Sequence, residues 1–156
     1  MEKRINAPID KETARSLKTG DSVLISGVIY TARDAAHERM IKNFHETGEF
    51  PIELKDQIIY YAGPCPAKPG EVIGSCGPTT AGRMDAYTPE LLDNGLGAMI
   101  GKGARSEAVV EAIKRNGCVY LGAIGGAGAL IAECIKKAEV VAYEALGTEA
   151  IRRVEA

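Results

Sequence analysis

The chain has 156 residues, 46% of them apolar and 26% charged, with a net charge of −2. That length suffices for one domain with a sizeable core, and the composition argues against disorder or a coiled coil. The near balance of charge removes the electrostatic case for nucleic acid or an anionic membrane as partner, so any bound anion must be held by a few local cations.

The first expected element is a strand over 21–30, rich in β-branched residues, as one long strand or two short ones interrupted at Gly27. From about Arg33 to Glu46 the apolar residues Ala36, Met40, Ile41 and Phe44 recur at helical spacing, and Gly48 with Pro51 stops the pattern. Residues 57–62 read as a short strand. The stretch 63–70 is turn-rich, and four of the seven prolines fall between Pro64 and Pro78. Thr88-Pro89-Glu90 reads as a helix start with Thr88 as N-cap, closed by Gly95. Ala98 to Ile100 is a buried-strand candidate that delivers the chain to Gly101-Lys102-Gly103. Ser106 is placed to cap a helix over 107–115, with Val109, Val110 and Ile113 inward and Asn116-Gly117 as its stop. A strand over 118–124, a helix over 129–137, a strand over 140–143 and a helical turn from Thr148 complete the series. Strands alternating with helices predict an α/β domain over 1–156, with parallel pairing in the second half and a more mixed sheet in the first.

No apolar run approaches the roughly 18 residues of a membrane span, and Met1-Glu2-Lys3-Arg4 leads into no signal-peptide core, so a cytoplasmic location is expected. The four cysteines, Cys65, Cys76, Cys118 and Cys134, lack C-x-x-C spacing and read as reduced thiols. Cys118 and Cys134 fit buried apolar positions. Cys65 and Cys76 lie in Gly/Pro-rich loops where a metal role is conceivable, but two ligands do not complete an iron–sulfur site. His37 and His45 read as surface or partly buried helix residues, since no carboxylate between them supplies a zinc motif. The glycines at 122, 125, 126 and 128 do not match a dinucleotide loop, and no phosphate-binding loop motif occurs.

Three predicted strands are each followed by a loop carrying a cation: Arg33 after the first, Arg83 after Val72-Ile73 through Gly77 to Gly82, and Lys102 between two glycines. Ligands in α/β sheets sit outside the carboxyl ends of strands, so the three cations could converge on one anion. Each could equally be a solvated surface charge. Thr79 and Thr80 could cap the following turn. A catalytic threonine needs a partner such as Arg83 to lower its pKa, and Asp85 could pair with Arg83 or lie at the surface.

The blocks Ser75-Cys76-Gly77-Pro78-Thr79-Thr80-Ala81-Gly82-Arg83-Met84-Asp85, Tyr87-Thr88-Pro89 and Met99-Ile100-Gly101-Lys102-Gly103 resemble the β subunit, or C-terminal domain, of class I fumarases and L(+)-tartrate dehydratases. Residues 27–37, 61–64 and 122–126 also fit that pattern. The resemblance implies a swivelling β/β/α domain with a mixed, partly parallel sheet flanked by helices. It implies a partner α subunit that carries a [4Fe–4S] cluster, so that this chain binds no metal. It also implies a hetero-oligomer such as a dimer of αβ pairs, and reversible hydration of fumarate to (S)-malate as in the tricarboxylic acid cycle. By the same resemblance Thr79 is the base and Arg83 lowers its pKa. Arg33 and Lys102 bind substrate carboxylates, with Thr80 and Gly77 lining the site, and the acid comes from the α chain. The alternatives are an L(+)-tartrate dehydratase β subunit and a non-catalytic dicarboxylate-binding module. Family members usually continue past a helix at 148–154 into a further strand, which this chain is expected to lack.

Overall fold

The computed structural model describes residues 2–7, 9, 11–16, 22–32, 34–61, 81–101, 103, 105–122, 137–142 and 151–155. Among the described residues, seven strands and four α-helices occur in the order β1 (Glu2–Ala7), α1 (Lys11–Ser16), β2 (Ser22–Thr31), α2 (Asp34–Thr47), β3 (Ile58–Tyr60), α3 (Thr88–Asp93), β4 (Ala98–Gly101), α4 (Glu107–Asn116), β5 (Val119–Gly122), β6 (Lys137–Ala142) and β7 (Ile151–Glu155). A short 3-10 turn, Ala81–Met84, precedes α3.

The sheet runs β5-β4-β3-β2-β7-β6. Its parallel part is β2 to β5, with Tyr30 opposite Ile59, Ile59 opposite Met99 and Met99 opposite Tyr120. Parallel neighbours need crossover connections, and α2 and α4 supply two of them. β7 runs antiparallel to both β2 and β6, so the sheet is mixed and the architecture α/β as expected, but the mixing comes from the C-terminal β7 and not from the first half, where β1, β2 and β3 pair in parallel. The final element differs: Ile151–Glu155 is a strand, not a continuation of a helix from Thr148. Ile151 and Val154 are three apart, a spacing that fits one helix face and puts them on opposite faces of a strand, and pairing with β2 on one side and β6 on the other makes the segment a strand. The helix expected over 129–137 lies outside the described residues except at Lys137, which begins β6.

β2 is continuous through Gly27, and that glycine is where its partners change. Glu2 to Ala7 pair in parallel with Ser22 to Gly27, whereas Val28 to Thr31 pair with β7. Gly27 has φ 104°, a backbone conformation side-chain-bearing residues rarely adopt, so it can redirect the strand from one partner set to the other.

Helix α2 packs Ala36, His37 and Met40 into the core, with Ile41 against its edge. Phe44 stacks on Phe50 with ring centroids 4.5 Å apart. In α4 the inner face is Val109 and Ala112, with Ile113 partly buried. Val110, expected inward, is 39% exposed, because a 100° turn per residue carries it away from its buried neighbour Val109. The Ser106 hydroxyl accepts from the Val109 N–H, and Gly117, in the left-handed region at φ 65°, closes the helix, both as the sequence predicts. No helix among the described residues is long and apolar enough to cross a membrane.

Candidate functional site

Because β2, β3 and β4 are adjacent and parallel, their carboxyl ends lie side by side on one edge of the sheet. Chain segments leave that edge at Thr31, Tyr60 and Gly101. The first leads directly to Arg33, the second to the 62–80 stretch that holds Gly77, Thr79 and Thr80, and the third to Lys102. Gly77, Thr79, Thr80, Arg33 and Lys102 themselves, and the Val72-Ile73 stretch, lie outside the described residues. Arg83 is placed by its backbone alone, in the 3-10 turn.

Next to the carboxyl end of β3, at Tyr61, the structure places a buried hydrogen-bond hub built on Arg105. Its side chain is 3% exposed. Nε donates to Asp85 Oδ1 at 2.7 Å, Nη1 to the Tyr61 hydroxyl at 3.0 Å, and Nη2 to Thr88 Oγ1 at 2.9 Å. The guanidinium carbon lies 5.0 Å from the Tyr61 ring centroid and 4.9 Å from that of Tyr120, within cation–π reach of both. A planar fork suits this arrangement, because three nitrogens can meet three separate acceptors at fixed angles.

The partners are fixed in turn. Asp85 Oδ2 accepts from the Ser106 N–H at 2.8 Å, so one carboxylate neutralises Arg105 and sits at the positive N-terminus of α4. The Thr88 hydroxyl donates to the Met84 carbonyl at 2.8 Å. Its single proton is thereby used, which makes the Tyr61 hydroxyl the donor in their 3.3 Å contact. Burial raises the Tyr61 phenol above its ordinary value, an effect the Arg105 charge only partly opposes, so the hydroxyl keeps its proton for that bond despite the adjacent guanidinium. Burial likewise raises the Tyr120 phenol, again against Arg105, and its hydroxyl donates to the Gly103 carbonyl at 2.9 Å.

Each segment bearing a candidate cation is therefore held within a few residues of that cation. The Arg83 turn is held at the Gly82 carbonyl by the Asp85 N–H, at the Met84 carbonyl by Tyr87 and Thr88, and at Asp85 by Arg105. The Lys102 segment is held at Ile100 by the Tyr61 N–H, at Gly103 by Tyr120, and at Arg105 itself. The helix that follows Arg33 is held through His37, whose ring meets Tyr61 edge-on at 5.4 Å and lies 6.4 Å from Tyr87.

Three expectations change here. His37 is fully buried, not at the surface, because its ring fills the space between α2 and the two tyrosines. Thr88 is not the cap of α3: Tyr87 occupies that position without a side-chain cap bond, and the Thr88 hydroxyl turns inward to Met84 and Arg105. Asp85 is not a free surface carboxylate, because it accepts from Arg105 and from the Ser106 N–H; its expected pairing with Arg83 involves a side chain outside the described residues. Arg105 is the residue sequence reasoning missed. Its only local signal is a position one residue before an N-cap serine, and its partners lie 17 to 44 residues away.

The described residues do not fit an iron–sulfur cluster. Cys118 is buried and its thiol donates to the Leu96 carbonyl at 3.1 Å, as suits a small core residue and not a cluster ligand. No group of three or more His, Cys, Asp or Glu among the described residues could hold a metal ion. Cys65, Cys76 and Cys134 lie outside them. His45 is exposed and meets Glu90 at 2.7 Å on the surface.

Comparison with known proteins gives a consistent family. The profile described as fumarase C-terminus matches residues 2–156. A Salmonella typhimurium protein named "Fumarate hydratase class I, aerobic" is 45% identical over 134 residues, which cover 84% of this chain and 23% of that protein. "Fumarate hydratase 2" of Leishmania major is 41% identical over an alignment of 157 residues, covering 97% of this chain and 27% of its own length. The chain thus spans about a quarter of the fumarate hydratases it matches. A Methanocaldococcus jannaschii protein provisionally named L(+)-tartrate dehydratase subunit beta is 36% identical over 138 residues, covering 86% of this chain and 71% of that subunit.

Proposed function

Since the chain belongs to the fumarase C-terminus family, we propose that it is the catalytic β component of a two-part hydro-lyase that hydrates fumarate reversibly to (S)-malate. The reading takes residues 1–156 as one swivelling domain acting in the cytoplasm within a hetero-oligomer, such as a dimer of αβ pairs. The observation that supports it is that the chain leaves toward the three motif-bearing segments from the carboxyl ends of adjacent parallel strands, where Arg105 joins Tyr61 after β3 to Asp85 near Arg83. Neighbouring strands lie about 4.8 Å apart, so the Arg33 and Lys102 segments, with β3 between them, leave the sheet about 10 Å apart. Two long cationic side chains can close that distance around a small dianion.

In this reading Arg33 and Lys102 bind the two carboxylates, and Thr80 and Gly77 line the site. Thr79, its pKa lowered by Arg83, takes the proton from the carbon beside the hydroxyl-bearing one during dehydration. The hydroxyl leaves as water with a proton from the α chain, and the carbon–carbon double bond forms. A [4Fe–4S] cluster on the α chain is the expected source of Lewis-acid activation.

The tartrate alternative has one specific support, the match over 71% of a subunit named for that activity. The higher identity to fumarate hydratases, 45% against 36%, favours fumarate. Assembling the chain anaerobically with its α partner and assaying fumarate and L(+)-tartrate side by side tests the reading. Fumarate hydration well above tartrate dehydration is expected. The reverse preference assigns the tartrate activity, and turnover of neither overturns the hydro-lyase reading.

A further inference from the structure

Arg105 is not among the residues that would touch substrate, yet described residues within three positions of Arg83 and of Lys102 are bonded into the Arg105 hub or belong to it. Its guanidinium joins Asp85, two residues beyond Arg83, to Tyr61 at the end of β3 and to Thr88. Its own backbone follows Lys102 by three residues. Through the edge contact of His37 with Tyr61, the brace reaches the first turn of α2, immediately after Arg33.

We propose that Arg105 is a positioning residue that fixes the separation of the Lys102 and Arg83 segments, and so sets how the site grips its dicarboxylate. The proposal rests on the hydro-lyase reading above. A buried guanidinium with three directional bonds has one geometry that satisfies all of them, so moving either segment breaks a bond in a site with little access to water. A simple core-filling role would need an apolar group and no matched acceptors. Lysine at this position would keep the charge and could meet Asp85, but one ammonium cannot reproduce the fork that also meets Tyr61 and Thr88. The segments would then remain folded but lose their fixed spacing.

The test compares Arg105→Lys, Lys102→Ala and the double variant in the assembled αβ enzyme. Leu54→Ala serves as a control for stability alone, because Leu54 is a core residue before the start of β3, at the opposite edge of the sheet. Displacements of about 1 Å in a site can cost about 10²-fold. Arg105→Lys should therefore lose about 10²-fold in kcat/KM per folded molecule, with a parallel weakening of succinate binding by calorimetry. Added to Lys102→Ala it should cost less than its loss alone, because one of the two groups it positions is already gone while the Arg83 segment is still displaced. Leu54→Ala should lower the melting temperature while keeping kcat/KM. If Arg105→Lys does not fold, Tyr61→Phe removes one acceptor of the same fork and should show the same non-additivity with a smaller loss. Unchanged kcat/KM and succinate binding, or losses that multiply in full with Lys102→Ala, overturn the positioning role while leaving the hydro-lyase reading intact. Absence of turnover in the unsubstituted assembly overturns both.

Discussion

Replacing Asp85 with alanine isolates the energetic contribution of the hub, and the molecule supplies its own control. Two Arg–Asp pairs have nearly the same closest approach, Arg105–Asp85 at 2.7 Å and Arg115–Asp93 at 2.8 Å. They differ in burial. The first pair has side chains 3% and 18% exposed, the second 55% and 45%. At an effective dielectric near 20, unit charges about 4 Å apart attract by about 4 kcal/mol, and removing one member of a buried pair costs about 3–5 kcal/mol. Arg105 would keep Tyr61, Thr88 and two ring faces, and Asp85 retains some contact with water, so the lower end, about 3 kcal/mol, applies. For a domain of this length each kcal/mol corresponds to about 2–4 °C, so Asp85→Ala should lower the melting temperature by about 6–12 °C. Asp93→Ala at the exposed pair should cost at most about 1 kcal/mol, a fall of under about 4 °C. Differential scanning calorimetry of the two variants provides the comparison. Equal losses would refute the claim that burial, and not bond length, gives the Arg105 pair its strength.

Other outcomes follow from the same geometry. Ser106→Ala removes the α4 cap and should cost about 1 kcal/mol in urea unfolding, the 3.4 Å length of the cap bond arguing against a larger value. Tyr61→Phe leaves one guanidinium N–H and the Thr88 oxygen each short of a partner in a buried site. A loss of about 1–3 kcal/mol is expected, and no loss would show that water replaces the phenol. Hydrogen bonds from Asn116 and then Arg115 hold the Asp93 carboxyl below its ordinary value of 3.8. Because the folded pKa is the lower one, its stabilisation is present above that ordinary value and is lost as pH falls through the folded pKa. Asp93→Asn should thus differ from the unsubstituted chain by about 0.5 kcal/mol at neutral pH, with the gap closing in acid and narrowing with added salt.

The elements legible in the sequence were those whose signals are local. The β-branched run of β2, the apolar spacing of α2, and the Ser106 cap with its Gly117 stop each depend on residues within a turn or two. β1 and β7 were illegible for a common reason. Glu2-Lys3-Arg4-Ile5-Asn6-Ala7 and Ile151-Arg152-Arg153-Val154-Glu155 are rich in charge, and they become strands by pairing with β2 from positions distant in the chain. The site divides along the same line. The expectation of cation-bearing loops rests on glycines and strand ends; the parallel order of β2, β3 and β4 brings the points where the chain leaves toward them to one edge, while Arg33 and Lys102 lie outside the described residues. The brace could not be read, because a lone arginine before a helix cap gives no indication that Tyr61, Asp85 and Thr88 will surround it. Thr88 shows the difficulty most clearly. Its Thr-Pro-Glu context has the form of a cap, while tertiary demand for an acceptor at Arg105 turns its hydroxyl inward.

The central claim is that this chain supplies the base and the carboxylate contacts of a site completed by another component. Its most direct test is Thr79→Ala in the anaerobically assembled αβ enzyme, measured as kcat for fumarate hydration alongside succinate binding. Loss of a general base predicts a fall in kcat of about 10²–10⁴-fold, with succinate still bound through Arg33 and Lys102. Turnover unchanged from the unsubstituted assembly would contradict the account.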